Sequence, residues 1–77
     1  MTARYDPHAL FQIERRKISA EWIELALREP DETEERDDKI SFLKRVSGHA
    51  EMLRVVARAG EPDYVITAYF DRRRPCV

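Results

Sequence analysis

Up to Pro30 the apolar residues of this chain recur with a helical period, and beyond it they alternate with the period of a strand. A chain whose period changes once is confined to a block of helices followed by a block of strands. Asp6-Pro7 places an N-cap before a proline at the first helical position, where the missing N–H has no partner to lose, so a helix is expected from Pro7 to about Lys17. Its buried stripe is Ala9, Leu10 and Ile13, and the arc beside it carries His8, Gln12, Arg15 and Arg16. Ser19 caps a second helix through about Glu29, with Trp22, Ile23, Leu25, Ala26 and Leu27 on a broad apolar face, and Pro30 ends it.

Three segments separated by turn chemistry follow: KISFLKRV (39–46), EMLRVVARA (51–59) and YVITAYF (64–70). They read as an antiparallel meander. The acidic stretch 32–38 is the candidate for a further, edge strand, against the poor strand propensity of aspartate and glutamate. The expected fold class is α+β: two N-terminal helices packed on one face of a three- to four-stranded antiparallel sheet. Residues 1–77 are expected to form a single domain, with 71–77 a flexible basic tail in which Pro75 cannot donate to a ladder. Side-chain parity turns Leu53, Val55, Ala57, Tyr64, Ile66, Ala68 and Phe70 toward the helices. Arg54, Val56, Arg58, Val65, Thr67 and Tyr69 then occupy the open face, unless a bulge shifts the register. KISFLKRV is divided, with Ile40, Phe42 and Val46 on one side and Leu43 on the other.

Seventy-seven residues bury only about 60% of the surface their unfolded chain exposes, so a partner or a homodimer would add stability. The net charge of -1 is unevenly spread. Residues 29–38, EPDETEERDD, hold seven acids and one base, which leaves 13 bases and 8 acids elsewhere. Such asymmetry governs partner choice more than the overall charge does. The single cysteine, Cys76, has no mate for a disulfide and cannot build a zinc site, so a reducing, cytoplasmic setting is expected. No apolar run approaches the roughly 18 residues of a membrane helix, and MTARYDPHAL has no signal-peptide core, so no membrane partner is expected. With glycine only at 48 and 60, no HExxH and no cysteine–histidine ligand set, neither a cofactor nor a metal is expected.

Arginines interleaved with tyrosine on an open sheet suit single-stranded RNA, because guanidinium groups pair with phosphate while the ring offers a stacking plane. His8, in the first turn of a helix, could serve as a neutral base or as a phosphate contact. The chemistry these residues could support is metal-independent cleavage of RNA. A base activates the 2′-hydroxyl, arginine holds the pentacovalent phosphate and a second group protonates the leaving oxygen. His8, Arg16 and Tyr69 are the catalytic candidates, tested together with Arg54. Arg15, Arg54, Arg58, Thr67, Arg72 and Arg73 are the candidate RNA contacts. His49 reads as a loop residue, and Cys76, with nothing to lower its pKa, as a poor nucleophile.

HALFQIERRKIS, Pro30 after the second helix and YVITAY near the C-terminus together resemble the bacterial family known as domain of unknown function 4258. Its pattern runs His-Ala, an Arg-Met pair, Arg-Gly-Ile-Ser, and a last strand of the type Val-Val-Thr-Val-Tyr. His8, Ala9, Arg16, Ile18, Ser19, Thr67 and Tyr69 match it; Gln12 stands where arginine is usual and Lys17 where glycine is common. The family is similar to the RelE-like toxins. That resemblance implies two helices on an antiparallel sheet and a ribonuclease of a toxin–antitoxin system, acting on RNA or the ribosome and held in check by an antitoxin protein. Two alternatives remain. One is a non-catalytic protein- or nucleic-acid-binding module on the same fold; the other is a structural or antitoxin-like protein acting through acidic residues 31–38.

Overall fold

The computed structural model describes residues 3–75. A two-residue strand, β1 (Arg4–Tyr5), precedes helices α1 (Pro7–Arg15) and α2 (Ala20–Arg28). Four strands follow: β2 (Glu32–Arg36), β3 (Lys39–Lys44), β4 (Glu51–Arg58) and β5 (Glu61–Pro75). They form one sheet in the order β1-β5-β4-β3-β2. The α+β layout is as expected, but the sheet has five strands and is mixed, because β1 joins the edge of β5 in parallel through Arg4↔Tyr64 and Tyr5↔Val65. Two residues are too few to show alternation, so no pattern announced β1. The acidic segment does form the opposite edge, β2, paired antiparallel to β3.

Both caps sit where the sequence placed them. The Asp6 carboxylate accepts from the His8 backbone N–H at 2.9 Å, and Ser19 Oγ accepts from that of Glu21 at 3.1 Å. At the end of α1, Lys17 N–H donates to the Glu14 carbonyl and Ile18 N–H to that of Ile13, at 3.2 and 3.1 Å. This paired closure requires a left-handed residue at the first of the two donors, and Lys17 takes a φ of 57°. Ile13 and Ile18 are buried together beneath it.

The main core lies between the helices and the sheet. Ala9, Ile13, Ile23 and Ala26 from the helices meet Phe42, Leu53, Val55, Ala57, Val65 and Ala68. Leu10, placed by periodicity in the buried stripe, is instead 46% exposed. Val65 also departs from expectation: it is fully buried on the helix side. Val56 pairs with Thr67 and Ala57 with Val65, so Ile66 is an extra residue, a bulge that inverts the side-chain parity toward the start of β5. Tyr64 consequently lies on the open side, where the Arg58 guanidinium stacks 4.2 Å from its ring centroid.

The strand that begins in YVITAYF runs on through Arg74 and Pro75, so residues 71–75, expected in a flexible tail, form its end. Cys76 and Val77, like Met1 and Thr2, lie outside the described residues. Glu51 pairs with Pro75 but Met52 with Asp71, so residues 72–74 form a second irregularity. Arg74 there reaches Glu32 and Glu34 across the intervening strands. Leu43 and Met52 are buried outside the helix-side cluster, on this same face of the sheet. Among the described residues no helix is long and apolar enough to cross a membrane.

Candidate nucleic-acid interface

One turn of α1 separates His8 from Gln12 and another separates Gln12 from Arg16, so the three side chains form a ladder on one helix face. His8 Nε2 lies 3.0 Å from Gln12 Nε2, and Gln12 Oε1 accepts from Arg16 at 3.3 Å. The ladder also reaches the sheet. The Thr67 hydroxyl donates to Gln12 Oε1 at 2.6 Å, and Arg16 donates to the Ala68 carbonyl at 2.9 Å. The Arg16 guanidinium stands 6.0 Å from the Tyr69 ring centroid, within reach of a cation–π contact. Beyond Val65 the edge of β5 no longer pairs with β1, which leaves the Ala68 carbonyl open to this arginine.

The helix therefore covers one layer while its exposed arc bends round the edge of β5 to the other. His8 and Arg16, from the first helix, and Thr67 and Tyr69, from the last strand, are far apart in the chain but share one edge in space. Arg15 and the ring of Phe11, 61% exposed, line the same groove as His8, Gln12 and Arg16. The N-terminus of α1 offers no free amide at His8, because the Asp6 carboxylate takes that N–H and also accepts from the Tyr64 hydroxyl at 3.1 Å.

The remaining candidates lie elsewhere. Arg54 pairs with Tyr69 in register, yet its guanidinium donates to Asp71 at 2.8 Å and to Glu34 at 3.1 Å, and its side chain is 13% exposed. Arg58 is held by Tyr64 and Glu61 near the start of β5. Arg72 is exposed, and Arg73 has a side chain 89% exposed beside Asp71. Burial pushes the Asp71 carboxyl up, but the Arg73 backbone N–H and the Arg54 guanidinium outweigh it and hold it below the usual carboxylate range. The Arg54 hydrogen bond, against some desolvation, likewise lowers Glu34.

Sequence reasoning set Gln12 on the arc without a role of its own, and it gave Glu34 and Asp71 no part in this region. Gln12 had a signal in its spacing, midway between His8 and Arg16. The others had none, since Glu34 lies 20 residues from Arg54 and 40 from Arg74.

A family model described as a domain of unknown function, DUF4258, matches residues 5–70. Comparison with curated proteins found no match. Comparison with solved structures likewise found none.

Proposed function

The chain belongs to the DUF4258 family, and from its edge site we propose that it is a RelE-like, toxin-type domain that binds single-stranded RNA and cleaves it without a metal, under the control of an antitoxin protein. One observation carries this reading: Arg16 ties the α1 arc to the open side of β5 through the Ala68 carbonyl and the Tyr69 ring. Arg15 and Arg16 would hold phosphate, while Phe11 and Tyr69 offer rings for base stacking. Two helices over a largely antiparallel sheet are compatible with the RelE-like layout. Arg54 has no part in it, being held between two carboxylates.

Binding without cleavage is the second reading, favoured by the contact that already occupies His8 Nε2, the atom a general base would use. Inducible expression in a bacterium separates the two. The wild type should arrest growth and degrade RNA, whereas His8→Ala and Arg16→Ala should not. Unchanged growth and intact RNA, with the purified chain still retaining a single-stranded oligonucleotide, would select the binding module; no retention would sink both.

A further inference from the structure

We propose that Gln12 is a positioning residue that fixes the neutral ring of His8 as the Nδ1–H tautomer, so that His8 meets an RNA phosphate as a hydrogen-bond donor. The phosphate part rests on the function proposed above; the tautomer rests on geometry alone.

A guanidinium only donates, so the Gln12 atom facing Arg16 at 3.3 Å must be the carbonyl oxygen. The same oxygen receives the Thr67 hydroxyl at 2.6 Å. Two donors from separate elements thus settle the amide orientation, which leaves the NH2 group toward His8. An amide N–H at 3.0 Å from His8 Nε2 requires a lone pair on that atom, and the neutral ring then carries its proton on Nδ1. Turning the amide over would set NH2 against Arg16 and Thr67 and forfeit the arginine bond.

The consequence is chemical. With Nε2 engaged, the exposed His8 ring has a donor to offer and no free acceptor, which suits a phosphate oxygen beside Arg15 and Arg16. Gln12 thus decides which atom of His8 faces the solvent, and it couples that choice to Thr67 on the sheet.

Long-range proton–nitrogen NMR correlations on the full 15N-labelled chain, at a pH where the imidazoles are neutral, read the tautomer directly. His49→Gln assigns the two histidines. The wild type should show a protonated Nδ1 and a bare Nε2 at position 8. Gln12→Glu keeps an acceptor for Arg16 and Thr67 but replaces the donor facing the ring, so the proton should move to Nε2. Gln12→Leu should give the mixture of an unconstrained imidazole. A purely structural role for Gln12 would leave the pattern unmoved, and identical nitrogen shifts in all three proteins, or Nε2–H in the wild type, would overturn the proposal. Titration with a single-stranded oligoribonucleotide should shift His8 Nδ1 and leave His49 alone. An Nδ1–H ring in a chain that binds no RNA overturns the proposed function and leaves the positioning role standing. An Nε2–H ring in a chain that does bind RNA overturns the positioning role alone.

Discussion

Lys17 holds a backbone conformation that its side chain disfavours. Its φ of 57° closes the end of α1, with Ile13 and Ile18 buried under the turn. Glycine adopts this geometry with no Cβ penalty. Lys17→Gly should therefore stabilise the fold by about 0.5–1 kcal/mol, a gain of several degrees in Tm for a domain of this size, measurable by thermal melting. At this scale much was legible: Asp6 and Ser19 announced themselves as caps because capping chemistry is local. The left-handed turn carried no such mark, since lysine is not a residue that signals it.

β5 carries the element-scale information, and it is where alternation misleads. YVITAYF looks like an unbroken strand, yet the extra residue at Ile66 buries Val65 among the helices and sends Tyr64 to the other side. A bulge needs no unusual residue, so parity read along one strand could not reveal it; only the pairing with β4 does. At its far end the strand irregularity presents Asp71 and Arg74 to Arg54, Glu34 and Glu32, an ionic lattice lying over Leu43 and Met52. Breaking a buried pair by removing one partner leaves the other charge uncompensated. Asp71→Asn should thus cost about 3 kcal/mol at neutral pH, read from denaturant unfolding. The pH dependence has a definite sign. Asp71 and Glu34 titrate below their ordinary values of 3.8 and 4.5, so their contribution is complete above those values and lost as the pH falls through the lower, folded-state range. Unfolding curves at about pH 7 and about pH 3 should show the wild type losing more stability on acidification than Asp71→Asn, whose amide does not titrate. An equal loss in both would mean that other carboxylates dominate the acid limb.

Across the whole molecule, the charge asymmetry visible in the composition resolves into an arrangement that composition could not give. The acidic run supplies Asp31 to Lys44 and Arg45, and Glu32 and Glu34 to Arg54 and Arg74. Part of the apparent basic excess is thereby neutralised within the fold, on the very face that alternation had marked as open and basic. Those pairings span up to 42 residues of chain, beyond the reach of any local pattern. The His8, Gln12 and Arg16 ladder was legible as an arc, because helical spacing is local; its passage round the edge of β5 to Thr67 and Tyr69 was a matter of packing. The distinction between engaged and available arginines predicts a salt dependence. For single-stranded nucleic acid, each phosphate neutralised contributes roughly 0.7 to the slope of log affinity against log salt. Arg15→Ala and Arg16→Ala should each flatten that slope by about 0.7, whereas Arg74→Ala should leave it nearly unchanged, because its charge is already answered by Glu32 and Glu34. Oligonucleotide binding measured across a salt series checks this. A slope that falls with Arg74→Ala but not with Arg16→Ala would move the RNA path from the edge of β5 to the lattice face.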